Sequence, residues 1–185
     1  AGLIGGGSYP RPGEVSLAHH GVLFLDELPE FRRHVVEALR QPLEDHAVTI
    51  TRAQVALSYP ARFTLVAAMN PCPCGYLSDQ RRACTCSPAA IRRYRARISG
   101  PLLDRIDMHI EVPALAYNDL ANKDGGERSA QIAQRVHATR RRQLDRFQGE
   151  PFCNAHMASQ PLRNHCLLDA PGQALLKKAM DRLGL

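Results

Sequence analysis

Two short apolar runs, each followed by polar residues, constrain the fold of this chain more than any other feature. Residues 21–25 (GVLFL) lead directly into Asp26 and Glu27. Residues 63–68 (FTLVAA) lead, after one methionine, into Asn70. A short run that is apolar on both faces is typical of a strand inside a parallel sheet. Because ligands of open α/β sheets bind beyond the carboxyl ends of such strands, we predict that both polar ends lie at one sheet edge.

The residue types at these two strand ends suit phosphate chemistry. Asp26 is expected to face Mg²⁺ and hold its water ligands, and Glu27 to orient or deprotonate a water that attacks a γ-phosphate. Asn70 is a neutral amide and can hold the same water or the γ-phosphate without repelling either. The competing interpretation is that the acidic pair caps a helix starting near Leu28 and that Asn70 is a turn residue before Pro71. The two ends together favour the catalytic interpretation.

The pattern of apolar and polar residues changes after residue 113, from one typical of strands and helices to one typical of helices alone. This change predicts two structural parts. In the first part, a helix is predicted from Phe31 to Leu39, closed by Pro42. Strands are predicted at 48–51 and 63–68, with a last one at 108–112. We therefore predict an α/β part at 1–113, a polar linker at 114–126 and an all-helical part at 127–185.

The all-helical part is predicted from one long helix and two shorter ones. Residues 127–147 are rich in arginine and have Ile132, Val136 and Leu144 at helical spacing, which predicts an amphipathic helix with these three on its inner side. Pro171 is placed to open the last helix, because proline is tolerated in the first helical turn.

Four of the six cysteines form a C-x-C-x9-C-x-C pattern. Four thiolates satisfy a tetrahedral zinc ion, and nine intervening residues are enough to bring the two pairs together. Such a site would be structural, because four sulfur ligands leave no open position for a substrate. The alternatives are reduced cysteines on a mobile loop, or a redox-labile pair of thiols. The candidate zinc ligands are Cys72, Cys74, Cys84 and Cys86.

Another group of cysteine and histidine residues carries a much weaker metal signal. Isolated residues of these types on helical segments are more typical of ordinary core or surface positions. The group consists of Cys153, His156, His165 and Cys166.

Charge and composition narrow the class of protein without fixing its function. The formal net charge of +6 comes almost entirely from arginine, which permits contact with polyphosphate or nucleic acid but is equally consistent with a solvated basic surface. Six cysteines in 185 residues is below the density of a disulfide scaffold and favours a reducing compartment. No apolar run approaches the roughly 18 residues of a membrane helix, so we expect a cytoplasmic protein.

Several strings taken in series resemble one protein family. GVLFLDELPEF resembles the Walker B segment of the magnesium-chelatase-like AAA+ ATPases, and AAMNPCPCG resembles their sensor-1 strand. GLIGGGSYPRPGEVSLAHHG and RISGPLLDRIDMHIEVP closely resemble the ComM/YifB competence-protein branch of that group. The resemblance is strongest over 1–113. It implies an α/β fold, namely a partial AAA+ P-loop NTPase core with a parallel sheet and helices, followed by a small all-helical lid domain.

The resemblance also implies roles for particular residues. Asp26 and Glu27 take the Walker B positions, Asn70 takes sensor 1, and the string PLLDRID supplies an arginine finger at Arg105. Members of the family are hexameric ring ATPases that use ATP and Mg²⁺, and proteins of the ComM type are linked to natural transformation and DNA branch migration. An arginine offers a permanently charged fork that can neutralise a transferring phosphoryl group on a neighbouring subunit. The alternative for this arginine is a local salt bridge with Asp104 or Asp107.

Two elements of the family's nucleotide site do not occur in this sequence. There is no G-x-x-x-x-G-K-[S/T] string and no lysine before Lys123, so we expect the P-loop to lie upstream of Ala1. The family's sensor-2 arginine is expected beyond Leu185. We therefore expect this chain by itself to bind ATP weakly and to hydrolyse none.

The family places two loops toward the central pore of its ring, where DNA would pass. By position these are residues 2–16 and about 50–62. Tyr9 and Tyr59 could stack on bases, although a tyrosine beside proline more often packs locally. Phosphate contacts give affinity without sequence information, and the alternative for each arginine is a solvated or locally paired side chain. The candidate DNA contacts are Arg11, Arg52 and Arg62.

Two other functions compete with a DNA motor. One is the I-type ATPase subunit of magnesium chelatase, which drives metal insertion into a porphyrin; the cysteine loop and the string RPGEVSLAHHG argue for the ComM-like branch instead. The other is a non-enzymatic, zinc-stabilised interaction domain.

Overall fold

The computed structural model describes residues 2–7, 10–52, 55–77, 79, 81–113, 126–147, 153–157 and 159–184, with the backbone alone for Arg52, Val55 and His156. By its internal contacts the chain divides into two units, Ala1–Ala116 and Tyr117–Leu185. The predicted linker at 114–126 lies outside the described residues except for Gly126.

The described part of the first unit contains both short strands and short helices. The strands are β1 Gly5–Gly6, β2 Arg11–Pro12, β3 Val22–Leu25, β4 Ala47–Arg52, β5 Val55–Pro60 and β6 Thr64–Ala67. The helices are α1 Glu14–Leu17, α2 Arg33–Glu37, α3 Arg40–Asp45, α4 Pro88–Arg95 and α5 Gly100–Leu103, with a 3₁₀ turn at Leu28–Glu30.

The two apolar runs of the sequence form the parallel pair β3 and β6. Val22 lies opposite Thr64 and Leu25 lies opposite Ala67. The segment between them folds into the helices α2 and α3 and the antiparallel hairpin β4–β5. Because parallel strands need a long connection, this intervening segment lets both strands run the same way and end at one edge.

The prediction that Pro42 closes the helix of residues 31–39 is wrong. The helix ends earlier, at Glu37, and a new helix, α3, starts at Arg40 and includes Pro42 in its first turn. The first backbone N–H groups of a helix have no partner within it, so a proline there removes no hydrogen bond. Proline therefore marks the start of an element here, and its ring is fully buried.

The two loops expected to face a pore pack against each other. The Tyr59 hydroxyl donates a hydrogen bond of 3.0 Å to the Pro10 carbonyl. Gly5 has a φ of +98°, and a Cβ atom on it would lie 3.0 Å from the Ile50 side chain and 2.3 Å from the Arg11 carbonyl oxygen. Tyr59 thus takes the local packing role, and Tyr9 lies outside the described residues.

A single apolar core joins the strands to the helices of the first unit. Val15, Leu39 and Leu102 are completely buried. Leu102 belongs to α5, so the segment that follows the cysteine loop is anchored in the same core as β3. The other core members are Leu23, Leu25, Leu28, Val36, Val48, Ile50, Ala61 and Ile98.

One face of the β3–β6 pair is open. Leu23 and Leu25 are buried, whereas Val22 and Phe24 are 62% and 57% exposed on the opposite face. Val66 of β6 is 43% exposed. The run GVLFL predicts burial on both faces, which is how parallel sheets are normally found; within the described residues only one face is covered.

The strand predicted at 108–112 is not formed. Met108, Ile110 and Val112 are each more than three-quarters exposed, at 77%, 79% and 84%. Strand propensity alone does not make a strand, because a strand needs a hydrogen-bonded neighbour. No described segment pairs with these residues.

The described part of the second unit is all-helical, as predicted. Its helices are α6 Ser129–Arg146, α7 Ser159–His165 and α8 Ala170–Leu183, with a 3₁₀ turn at Asn154–His156. Pro171 lies in the first turn of α8, where the Asp169 side chain accepts a 2.8 Å hydrogen bond from the Gly172 N–H. Ile132 and Val136 of α6 are 40% and 50% exposed rather than turned inward, since no described residue of this unit is buried.

The predicted fold class is confirmed: a mixed α/β unit with a parallel strand pair and helices is followed by a helical region. A search of the described residues for a membrane-spanning helix finds none of sufficient length and apolarity.

Candidate functional site

The polar residues that follow β3 and β6 lie at the same sheet edge. The Ala68 N–H donates 2.9 Å to the Leu25 carbonyl, and the Leu28 N–H donates 3.0 Å to the Ala68 carbonyl. These two bonds fix Asp26 and Glu27 directly beside the end of β6. Asn70 comes two residues after Ala68 in the loop that leaves this edge.

Glu27 has an unusual backbone conformation. Its φ of 50° and ψ of 44° lie in the left-handed region, which costs a non-glycine residue about 1–2 kcal/mol. One oxygen of the neighbouring Asp26, Oδ1, accepts a 2.8 Å hydrogen bond from the Glu27 N–H and helps to hold this turn. Such strain at a strand end is common where a side chain has to be aimed at a ligand.

The helix-capping alternative finds no support in this geometry. Glu27 precedes the 3₁₀ turn Leu28–Glu30, but its side chain accepts no hydrogen bond from that turn. The side chains of Asp26 and Glu27 are exposed. Exposed carboxylate oxygens are the hard donors that Mg²⁺ prefers, so the residues present fit that ion.

The loop after β6 folds back toward Asn70. Gly75 has a φ of +83°, a conformation that glycine adopts without strain. A Cβ atom on Gly75 would lie 3.9 Å from Oδ1 of Asn70, so this turn places the cysteine loop beside the amide.

The cysteine loop brings four sulfur atoms together. The Sγ atoms of Cys72, Cys74, Cys84 and Cys86 all lie within 4.8 Å of one another. Cys72 lies 3.4 Å from Cys74 and 3.7 Å from Cys84, and Cys74 lies 3.6 Å from Cys84. Zn–S bonds of about 2.3 Å in a tetrahedron give S···S separations of about 3.8 Å. The cluster can therefore bind a metal ion, and its member Cys72 is fully buried.

The thiols of this cluster differ in acidity. Hydrogen bonds from the backbone of Tyr76 and of Thr85 lower the pKa of Cys74 to about 6. A hydrogen bond to Cys74 and burial raise the pKa of Cys86 to about 12.

No further metal cluster is found among the side chains that the structure describes. The isolated group near the C-terminus therefore gains no support: Cys166 is exposed, and the side chain of His156 lies outside the description.

Arg105 forms an ion pair within its own chain. Its Nη2 contacts Oε1 of Glu44 in α3, and its Nη1 donates to the Pro101 carbonyl. The local alternative predicted Asp104 or Asp107 as the partner; the partner is Glu44 instead. The side chain remains 28% exposed, and its Nε is buried without a hydrogen-bond partner among the described residues.

The three arginines considered for DNA are not all described. Arg11 is exposed on β2, and only the backbone of Arg52 is described. Arg62 lies near the opposite ends of β3 and β6 from Asp26. There its N–H donates 3.0 Å to Nδ1 of His19, and burial, His20 and the Arg62 charge lower the pKa of His19.

Three residues beside the site were not singled out by the sequence. Tyr94 and Arg95, at the end of α4, and Arg97, two residues beyond it, contact the loops that follow Glu27 and Asn70. A cavity of about 330 Å³ opens next to them and is lined by Glu30 and Pro73 as well, but not by Asp26 or Asn70. The only sequence signal was the basic string RRYRAR, because the contacts join residues more than twenty positions apart.

The sequence model of the family described as magnesium chelatase, subunit ChlI, matches residues 1–120. The model of the ChlI C-terminal region matches residues 126–185. The chain therefore belongs to the magnesium-chelatase-like family of AAA+ ATPases.

Within that family the chain is similar to competence protein ComM of Haemophilus influenzae, with 48% identity over 184 residues, 99% of this chain and 35% of ComM. It is also similar to the uncharacterised protein YifB of Escherichia coli, 44% identical over the same shares. The magnesium-chelatase subunit ChlI of Mesostigma viride is 27% identical over 65% of this chain and 27% of that protein. These identities place the chain on the ComM/YifB branch. It spans about a third of the length of ComM and YifB.

Proposed function

We propose that this chain is part of an ATP-hydrolysing AAA+ motor that acts on DNA, as a branch-migration or helicase-type enzyme in natural transformation and recombination. Residues 1–113 contribute the Walker B, sensor-1 and arginine-finger segments of the core, and residues 127–185 contribute to a helical lid. The P-loop and the sensor-2 arginine come from other segments of the protein.

In this mechanism Asp26 holds Mg²⁺, which when bound neutralises charge on the phosphates of ATP. Glu27 accepts a proton from, or orients, the attacking water. Asn70 donates a hydrogen bond to the γ-phosphate. Arg105 acts on the nucleotide of a neighbouring subunit in a ring of six, which requires it to leave Glu44 on assembly.

One observation carries this proposal: β3 and β6 are adjacent, parallel and in register, so the acidic pair and the amide follow strands that end at one edge. A carboxylate pair and an amide at such an edge suit an ATP site. Membership of an AAA+ ATPase family supports the same chemistry.

The test is ATP hydrolysis by the full-length protein with Glu27→Gln. Loss of the general base should lower kcat by about 10²- to 10⁴-fold while ATP still binds. Glu14→Gln makes the same chemical change on an exposed residue of α1 and should leave the rate unchanged. If Glu27→Gln hydrolyses ATP at the parent rate, the catalytic assignment is wrong.

DNA is the proposed substrate rather than a porphyrin-associated partner. Support comes from the greater identity to ComM than to the chelatase subunit, and from the basic charge of the chain. Binding of the full-length protein to a four-way DNA junction, measured against salt concentration, tests this choice. Absence of binding even at low salt would favour the chelatase alternative.

We also propose that the four-cysteine cluster holds a structural zinc ion. The separations between the sulfur atoms are close to those around a tetrahedrally coordinated zinc ion, and four cysteine sulfurs are a donor set that suits zinc. Elemental analysis of protein purified without chelator should give about one zinc per chain. A content below about a tenth of that would leave a non-metallated thiol cluster.

A further inference from the structure

The loops that follow Glu27 and Asn70 are contacted by arginines at the end of α4 and just after it. Nη1 of Arg97 donates 3.0 Å to the Pro29 carbonyl and lies 2.8 Å from Oε2 of Glu30. Nε of Arg95 donates 3.2 Å to the Pro71 carbonyl. The first contact falls two residues after Glu27, and the second falls one residue after Asn70.

Tyr94 lies in the last turn of α4, just before these two arginines. It is the one residue of α4 that is buried, with 5% of its surface exposed. Burial and the charges of Glu30 and Glu27 raise the pKa of Tyr94, while a backbone hydrogen bond from Asn70 acts in the opposite direction. Tyr94 lines one cavity of about 330 Å³ together with Glu30 of the first loop and Pro73 of the second, so its side chain lies beside both loops.

Arg97 and Tyr94 also contact each other. The Arg97 guanidinium carbon lies 5.8 Å from the centre of the Tyr94 ring, within range of a cation–π interaction. Helix α4 is fixed at its other end by the Ser87 N-cap, which accepts from the Ala90 N–H, and by the cysteine cluster just before it. Movement of one loop relative to the other would have to break contacts to α4.

These contacts are better suited to positioning than to stabilising the fold. Arg97 and Glu30 are 49% and 55% exposed, and an ion pair as exposed as this contributes little to stability. Two of the arginine bonds end on main-chain carbonyls, so they fix the path of the loops rather than pairing two mobile side chains. The strained turn at Glu27 needs such support to persist.

We infer that Arg97 and Tyr94 are positioning residues that hold the loops of Glu27 and Asn70 in a fixed relation to each other; the inference rests on the hydrolytic role proposed for those loops. Arg97 positions the loop after Glu27 through Pro29 and Glu30. Tyr94 positions the loop of Asn70. Neither residue needs to touch ATP.

The experiment is steady-state ATP hydrolysis by the full-length protein with Arg97→Gln, Arg97→Lys and Tyr94→Phe. Misplacing a catalytic loop by about 1 Å costs on the order of 100-fold, so Arg97→Gln and Tyr94→Phe should lower kcat about 10- to 100-fold. The KM for ATP should stay within about twofold, because binding is not the affected step. Arg97→Lys keeps the charge and a donor and should recover much of the loss.

Arg92→Gln is the matched control, since Arg92 is an exposed arginine inside α4 whose side chain forms no hydrogen bond or ion pair with the described residues of either loop. Unchanged kcat in both Arg97→Gln and Tyr94→Phe would overturn the inference. So would a fall in kcat that tracks the thermal midpoint and is not recovered by Arg97→Lys. Glu27→Gln is assayed in parallel: if it abolishes hydrolysis while the α4 variants do not change it, the positioning inference alone fails.

Discussion

At the scale of single residues, the backbone of Glu27 is the most informative conformation in the chain. A glutamate at φ 50° is held there by Asp26 and by the bond from Leu28 to Ala68. Relief of this strain has a measurable consequence. Glu27→Gly should raise the free energy of unfolding of the 185-residue chain by about 1 kcal/mol, because glycine adopts this conformation without a Cβ clash.

Urea denaturation of the parent and of Glu27→Gly measures this difference. Arg92→Gly is the control, since Arg92 is an exposed residue inside α4 and glycine in a helix interior costs about 1 kcal/mol relative to alanine. The two glycine substitutions should therefore move the midpoint in opposite directions. A lower midpoint for both would mean that the Glu27 turn stores no strain.

Arg105 gives a second prediction at this scale, because its pair with Glu44 and its proposed role on a neighbour compete. Arg105→Ala should lower kcat of the assembled protein by about 1000-fold or more. Glu44→Gln should leave kcat within about twofold, because it removes only a partly exposed ion-pair partner. ATPase assays and thermal melting of both variants provide the measurement. Equal losses of activity and of stability in the two variants would assign Arg105 a structural role instead.

His19 predicts a dependence of stability on pH. Its Nδ1 accepts the Arg62 N–H and can do so only when unprotonated at that nitrogen. Since burial, His20 and Arg62 hold the pKa of His19 below its usual 6.5, the unfolded chain takes up the proton more readily. The stabilisation is therefore present above pH 6.5 and is lost as pH falls through the lower folded pKa.

Thermal melting between pH 8 and pH 5 tests this sign. His19→Asn places an amide oxygen near the position of Nδ1 and should flatten part of the decline in acid. His34→Asn, at an exposed position of α2, should leave the slope unchanged. A parent slope identical to that of His19→Asn would contradict the prediction.

At the scale of elements, the cysteine loop connects β6 to α4. Cys72 is fully buried two residues after Asn70, and Cys86 lies just before the Ser87 N-cap. Removing the proposed zinc ion with a strong chelator should therefore lower kcat, because Asn70 and α4 would lose their shared anchor. Cys84→Ser should lose both zinc and activity, whereas Cys166→Ser, exposed in the second unit, should keep both. Full ATPase activity in zinc-depleted protein would separate the loop from the site.

Elements with strong local signals were predicted correctly, and those that depend on neighbours were not. The strands at 21–25 and 63–68 and the helices of the C-terminal part follow from apolar patterning and proline position. The prediction for Pro42 was wrong because a proline can either follow the end of one helix or lie in the first turn of the next, and here a new helix starts just before it. The segment 108–112 has the composition of a strand, but within the described residues it has no partner.

At the scale of the whole molecule, the open face of the β3–β6 pair is the main feature. Val22, Phe24 and Val66 expose apolar surface that a soluble protein normally covers. The 185-residue chain should therefore bind an apolar dye and self-associate, and Phe24→Ser should reduce both. Dye fluorescence and sedimentation velocity provide the measurement, with Met108→Ser outside the sheet as the control. Equal dye binding by parent and Phe24→Ser would show that this face is covered.

The two units also differ in how much of their structure comes from packing. The first has a shared core around Leu39 and Leu102, whereas the described residues of the second bury none of their apolar side chains. Helix propensity and caps such as Asp169 account for the local helices of the second unit. Family membership applies to both, since separate family models match each part.

The sequence alone determined the strand ends, the cysteine spacing and the family, because these depend on residue order and local periodicity. Tertiary structure alone decided that the two strands are in register, that four sulfur atoms meet, and that Arg105 pairs with Glu44. It also decided that α4 holds both strand-end loops. The reason is physical, because these contacts join groups that are distant in the chain. The spatial distance between such groups is set by tertiary packing and cannot be read from the order of residues.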